Sequence, residues 1–131
     1  MISIVVEELL SQIRNSTQLR CEVKKCTKPQ RGYQFIRIAF FNDSESNAVI
    51  ERLDLVAEGV EYALESQESK KFVLGQGKSV LKEYPFSVKP KDFVICEFCI
   101  NVTGKPIICS GEYYLVYYVR SGKTKGKINI P

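Results

Sequence analysis

Apolar and polar residues alternate with a period of two through most of this chain, most cleanly in its last third. Val94, Cys96, Phe98, Ile100 and Val102 interleave with Ile95, Glu97, Cys99 and Asn101. After a Thr103-Gly104-Lys105-Pro106 break, Tyr113, Leu115, Tyr117 and Val119 resume the pattern. Successive side chains of a strand point to opposite faces, so this alternation predicts strands with one face on a core. It also predicts that residues 92–102 and 107–119 form one antiparallel hairpin, with Val94, Cys96, Phe98, Leu115 and Tyr117 buried.

Earlier segments read the same way. Leu19, Cys21 and Val23 oppose Arg20, Glu22 and Lys24, and Gln34, Ile36, Ile38 and Phe40 oppose Tyr33, Phe35, Arg37 and Ala39. Val49, Leu53 and Leu55 restart the pattern, with Ile50 interrupting it. Glu58-Gly59 turns the chain into Val60, Tyr62 and Leu64, a hairpin partner. Phe72 to Leu74, then Tyr84, Phe86 and Val88, supply further edges, and Ile128 and Ile130 close the sheet. About eight strands at regular spacing predict an all-β antiparallel β-sandwich over residues 18–131.

Residues 1–17 differ. Val6, Leu9, Leu10 and Ile13 fall on one helical face, Ser3 is placed to cap, and Glu7, Glu8 and Arg14 complement the helix dipole. The pattern predicts a short amphipathic α-helix over 3–14, its stripe covered by the sandwich, by a partner or by a second copy of the chain. Ile2, Ile4 and Val6 offer a short strand as the competing reading.

The order of features resembles small immunoglobulin-like domains of microbial proteins. The matching pieces are Phe40-Phe41-Asn42-Asp43-Ser44, Ile50-Glu51-Arg52-Leu53-Asp54-Leu55, Tyr84-Pro85-Phe86-Ser87-Val88-Lys89-Pro90 and Val119-Arg120-Ser121-Gly122-Lys123, within residues 19–131. The resemblance implies an immunoglobulin-like sandwich and a non-catalytic module that presents surfaces to partners. The chain departs from the antibody pattern in having no Trp and no cysteines placed like the inter-sheet pair. A composition poor in His and Met and rich in Lys, Glu, Ile, Val and Tyr leans toward thermostability, and in style resembles small proteins of archaeal viruses.

Composition narrows the chemistry. At 131 residues this is one domain with a real core, and its net charge of +4 is mild for a dedicated nucleic-acid binder. No window reaches the roughly 18 apolar residues of a membrane span. The first residues lack a signal peptide's basic region, so the expected location is the cytoplasm. The absence of His excludes Ser-His-Asp and Cys-His catalysis and histidine metal ligands. Gly75-Gln76-Gly77-Lys78-Ser79 lacks the spacing of a phosphate loop and reads as a turn. Most of Asp43, Glu45, Asp54, Glu58 and Glu61 read as loop or solvent-face residues, with no nucleophile beside a base. No catalytic, cofactor or metal site is expected, and the chain reads as a non-enzyme.

Five cysteines need an account. Cys21 and Cys26 stand in a C-x4-C and Cys96 and Cys99 in a C-x2-C, but residues three apart on a strand face opposite sides, which argues against a shared zinc ion. Buried thiols suit Cys21 and Cys96. Folding the expected hairpin about Gly104-Lys105 would bring Cys99 beside Cys109, a candidate cross-strand disulfide. Asn15, Asn42 and Asn101 begin sequons that read as chance in turn-rich sequence.

One basic cluster remains. Arg120, Lys123, Lys125 and Lys127 follow Tyr113, Tyr114, Tyr117 and Tyr118; Tyr113 and Tyr117 share the apolar face, leaving Tyr114 and Tyr118 as platforms beside the cations. That set could track phosphates and stack bases. Lysines on an edge also guard against sheet-to-sheet aggregation. The sequence therefore points first to a protein partner or self-association, through a sandwich surface or the Val6, Leu9, Leu10 and Ile13 stripe. Nucleic-acid binding by the C-terminal hairpin is the alternative.

Overall fold

The computed structural model describes residues 19–65, 80–81, 84–119 and 122–131. The expected helix over 3–14, Phe72 to Leu74 and Arg120 lie outside these. Among the described residues the chain is all-β, with ten strands. In order they are β1 (Leu19–Cys26), β2 (Tyr33–Asn42), β3 (Ala48–Ile50), β4 (Arg52–Ala57), β5 (Val60–Ala63), β6 (Val80–Leu81), β7 (Phe86–Val88), β8 (Asp92–Asn101), β9 (Gly111–Val119) and β10 (Gly122–Ile130). They form three sheets: β1-β2-β8-β6, β10-β9-β4-β5 and the two-stranded β3-β7.

Period-two patterning sets which residues meet in the middle. Ile38 of β2 faces Cys96 of β8, and Ile36 faces Phe98. Leu55 of β4 faces Leu115 of β9, and Leu53 faces Tyr117. Together with Ile50 and Val88 from the small sheet, these side chains belong to a single hydrophobic cluster. Phe40 stands edge-on to Phe86 and Phe98 at 5.6 and 6.2 Å, a geometry aromatic rings favour. A hydrogen bond joins the two four-stranded sheets inside this core, from the Tyr117 hydroxyl on β9 to the Cys21 sulfur on β1. Gly126 makes room for it: a Cβ there would stand 2.7 Å from the Tyr117 oxygen.

Turn chemistry agrees with the sequence where the loops are short. Glu58 and Gly59 both have positive φ, 50° and 79°, as a two-residue hairpin turn requires between β4 and β5. Ile50 breaks the alternation because the strand is two strands. Residues 48–50 pair with β7, the chain passes Glu51, and β4 pairs with β9 and β5.

Two expectations are corrected. Residues 92–102 and 107–119 do not form a hairpin, although Cys96, Phe98, Leu115 and Tyr117 are buried as expected and Val94 is half-buried. β8 pairs along its length with β2 on one side, and Leu81, Val80 and Glu65 occupy the other, so no edge is left for β9. The link instead carries the chain from one sheet to the other. Val102 and Ile108 bury their side chains as it crosses. The buried Gln34 amide bonds both the carbonyl and the N–H of Ile108, at 2.9 and 2.8 Å, and Tyr62 donates to the Pro106 carbonyl at 2.6 Å. The second correction is that pairing is not wholly antiparallel: β6 runs parallel to β8.

Candidate functional site: a mixed-charge tyrosine face

The outward face of the β10-β9-β4-β5 sheet gathers most of the residues that the sequence singled out. Register places Lys123, Tyr118 and Arg52 in one row across β10, β9 and β4, then Lys125, Val116 and Asp54, then Lys127, Tyr114 and Val56. Alternation explains the sorting, because Tyr113, Leu115 and Tyr117 turn inward and leave Tyr114 and Tyr118 outside. All three lysines are exposed and both tyrosines are half-buried. Arg120 and the Val6, Leu9, Leu10 and Ile13 stripe lie outside the described residues.

The centre of the face is a cluster the sequence reading missed. Arg52 and Asp54, two apart on β4, share the outward side and pair at 2.7 and 3.3 Å. The Asp54 side chain is only 2% exposed while that of Arg52 is 57% exposed. Tyr118 donates a further hydrogen bond to Asp54, and the Arg52 guanidinium lies 4.6 Å from the centre of the Tyr118 ring. The hydrogen bonds it donates to Asp54, and then the Asp54 charge, hold Arg52 even more firmly protonated than usual. Loss of solvent, then the Asp54 charge and hydrogen bond, push the Tyr118 hydroxyl pKa up. Both groups therefore keep their neutral-pH forms. The signal was present in sequence as an Arg-x-Asp on a strand, since opposite charges two apart share a face.

Acids interleave with the cations elsewhere on this face. Lys127 pairs with Glu112 at 3.4 Å between two exposed side chains, and Glu61 stands opposite Val56. Lys125 places its ammonium 4.2 Å from the centre of the Tyr114 ring. Arg52 also borders an open cleft of about 430 Å³, lined by Glu51, Ala63, Leu64, Glu65 and Tyr84.

The cysteines do not pair as the hairpin implied. Cys99 is buried on β8 beside Phe35, on the face away from the main core, and Cys109 is exposed after the crossover. All five cysteines are thiols. With β8 and β9 in different sheets, the register that would align Cys99 with Cys109 does not exist. Burial first, then the Cys109 charge, pushes the Cys26 pKa up to about 11. Among the described residues no group of three potential ligands is placed to hold a metal ion. Nor is any helix among them long and apolar enough to cross a membrane. The Asn42 sequon is structural, its buried amide donating to the Ser46 and Val88 carbonyls at 2.9 and 2.8 Å.

No family model matches the chain, and no curated protein matches it. Two solved structures of the GH20 exo-β-N-acetylglucosaminidase from Vibrio harveyi are similar. One is an inactive mutant, at 14% identity and a TM-score of 0.38. The other is a complex with N-acetylglucosamine, at 13% identity and a TM-score of 0.34. Each match covers 88% of this chain and only 18% of that enzyme. Similarity this low and this partial bears on neither the fold nor the activity of the chain.

Proposed function

We propose that the chain is an immunoglobulin-like β-sandwich serving as a non-catalytic interaction module, and that it binds a protein partner through the outward face of β10-β9-β4-β5. The observation that carries the reading is the Arg52–Asp54–Tyr118 cluster. A buried carboxylate fixes an exposed guanidinium over a half-buried aromatic ring. Arg and Tyr are the side chains that most often dominate protein interfaces, and one already held in place loses less entropy on binding. Mixed charge around apolar Val56 and Val116 matches the polar rim and drier centre of such contacts. We place the module in the cytoplasm, where thiol cysteines persist. The second reading is nucleic acid, favoured by the alternate lysines of β10.

The test is affinity purification from the native source, with the wild-type chain beside an Arg52→Ala, Tyr118→Ala double variant. A protein recovered by the wild type and bound at least about 30-fold more weakly by the variant supports the reading. Equal recovery by both, or recovery of nuclease-sensitive nucleic acid in place of protein, overturns it.

A further inference from the structure

Resting on the reading that this face binds protein, we propose that the partner presents an acidic, extended segment running along β10. Lys123, Lys125 and Lys127 occupy alternate positions of that strand, all exposed, on the same side as Tyr114 and Tyr118. Alternate residues of a strand repeat every ~6.8 Å, so the three lysines set positive charge at regular intervals along β10. An extended polypeptide with carboxylates at every second residue has the same repeat. β10 ends the order of its sheet, so an incoming chain can lie over it without crossing the acids of β5. Lys125 is held against the Tyr114 ring in the middle of the line, and Lys127 already pairs with a carboxylate, that of Glu112.

The same geometry disfavours a nucleic acid. Lys125 takes one face of the Tyr114 ring and Arg52 one face of the Tyr118 ring, where bases would stack. Asp54, Glu61 and Glu112 share the face and would repel a chain that carries only phosphates. A polypeptide can meet Glu61 or Glu112 with a cation of its own while its acids meet the lysines.

The experiment is fluorescence anisotropy on the full chain with two labelled probes. One is an alternating Glu-Thr peptide of about nine residues, the length of β10. The other is an oligothymidylate of matching extended length. Saturable binding of the peptide is expected at low salt, weakening as salt rises. A Lys123→Glu, Lys125→Glu, Lys127→Glu variant should lose at least about tenfold in affinity, and the Gln equivalents, which preserve fold and length, should lose part of it. Absent peptide binding, peptide binding unchanged in both triple variants, or tighter binding of the oligothymidylate overturns the proposal. The native partner separates this proposal from the reading beneath it. If the Arg52, Tyr118 variant loses that partner while the lysine variants keep it, the face stands and the acidic segment falls. If all of the variants keep it, both fall.

Discussion

The two four-stranded sheets each turn one face away from the shared core, and each face carries an arginine–carboxylate pair in a different state. On β1-β2-β8-β6, Arg37 meets Glu97 across strands at 2.8 Å, with the side chains only 17% and 5% exposed. Around it Phe35, Ala39 and Cys99 are all buried. On β10-β9-β4-β5, Arg52 meets Asp54 within one strand, and only the acid is buried. The first face is dry at its centre, around Arg37 and Glu97, and becomes exposed along β1 and toward Phe93, which stacks on Phe41 at 5.6 Å while Arg20 lies over the Phe41 ring. The second is wet around a small buried centre at Asp54 and Val116. A pair withdrawn from water depends on both partners, whereas a pair with one end in solvent can lose its acid and leave a hydrated cation. The dry centre of the first face belongs to the fold, and the second keeps its cation in water.

The sharpest way to break this contrast is to place a charge on each face. Ala39→Glu puts a carboxylate where no solvent reaches and should cost more than about 4 kcal/mol, enough to unfold a marginal domain. Val56→Glu, at a half-buried position on the other face, should cost less than about 1 kcal/mol. Denaturant titrations that find the two equally disruptive would erase the distinction between the faces.

A smaller effect separates the two ion pairs. Glu97→Ala should destabilise by about 3 kcal/mol, because Arg37 stays largely buried. Asp54→Ala should cost about 1 kcal/mol, because Arg52 is already hydrated, while freeing Arg52 to leave the Tyr118 ring. Comparable melting-temperature losses in the two variants would contradict the assignment of one pair to the fold and the other to the surface.

The smallest effect tests the layer between the faces. Burial pushes the Cys21 thiol up to about 12, outweighing the Tyr117 hydrogen bond, which acts in the opposite direction. A folded pKa above the unfolded one stabilises the fold fully below the unfolded pKa and loses that contribution as pH rises toward the folded value. Stability should therefore be level through neutral pH and fall between about pH 9 and 12. Cys21→Ala should make the fall shallower, as read from melting temperatures across that range. An identical alkaline slope in the variant would mean that Cys21 does not titrate with unfolding.

Much of the fold was legible in the residues. Period-two alternation identified the inward sides of β1, β2, β8 and β9, and it sorted Tyr114 and Tyr118 from Tyr113 and Tyr117. The Glu58-Gly59 turn was legible because it is local, with both positive φ values falling where Gly and a polar residue stand. Ile50 was visible as a break, but nothing nearby says that a break changes sheets. The Arg52–Asp54 pair was readable as two same-face charges, yet its burial depends on β9 lying alongside to bring Tyr118 over it.

The sequence by itself determined the class of this protein: all-β, with a face of lysines and tyrosines and no histidine chemistry. Those properties follow from which side of a strand each residue takes, and that depends only on its neighbours in sequence. The tertiary structure alone decided which strands pair. A strand's alternation is the same whether its partner is the next strand or one dozens of residues away, so the pattern of β8 and β9 could not distinguish a hairpin from a crossover. That choice was made by the edges of β8 being filled by β2, β6 and Glu65, and by Gln34 holding the link at Ile108. The same choice parted Cys99 from Cys109 and set the lysines of β10 beside Arg52 through β9, because contacts between distant segments depend on which edges remain open.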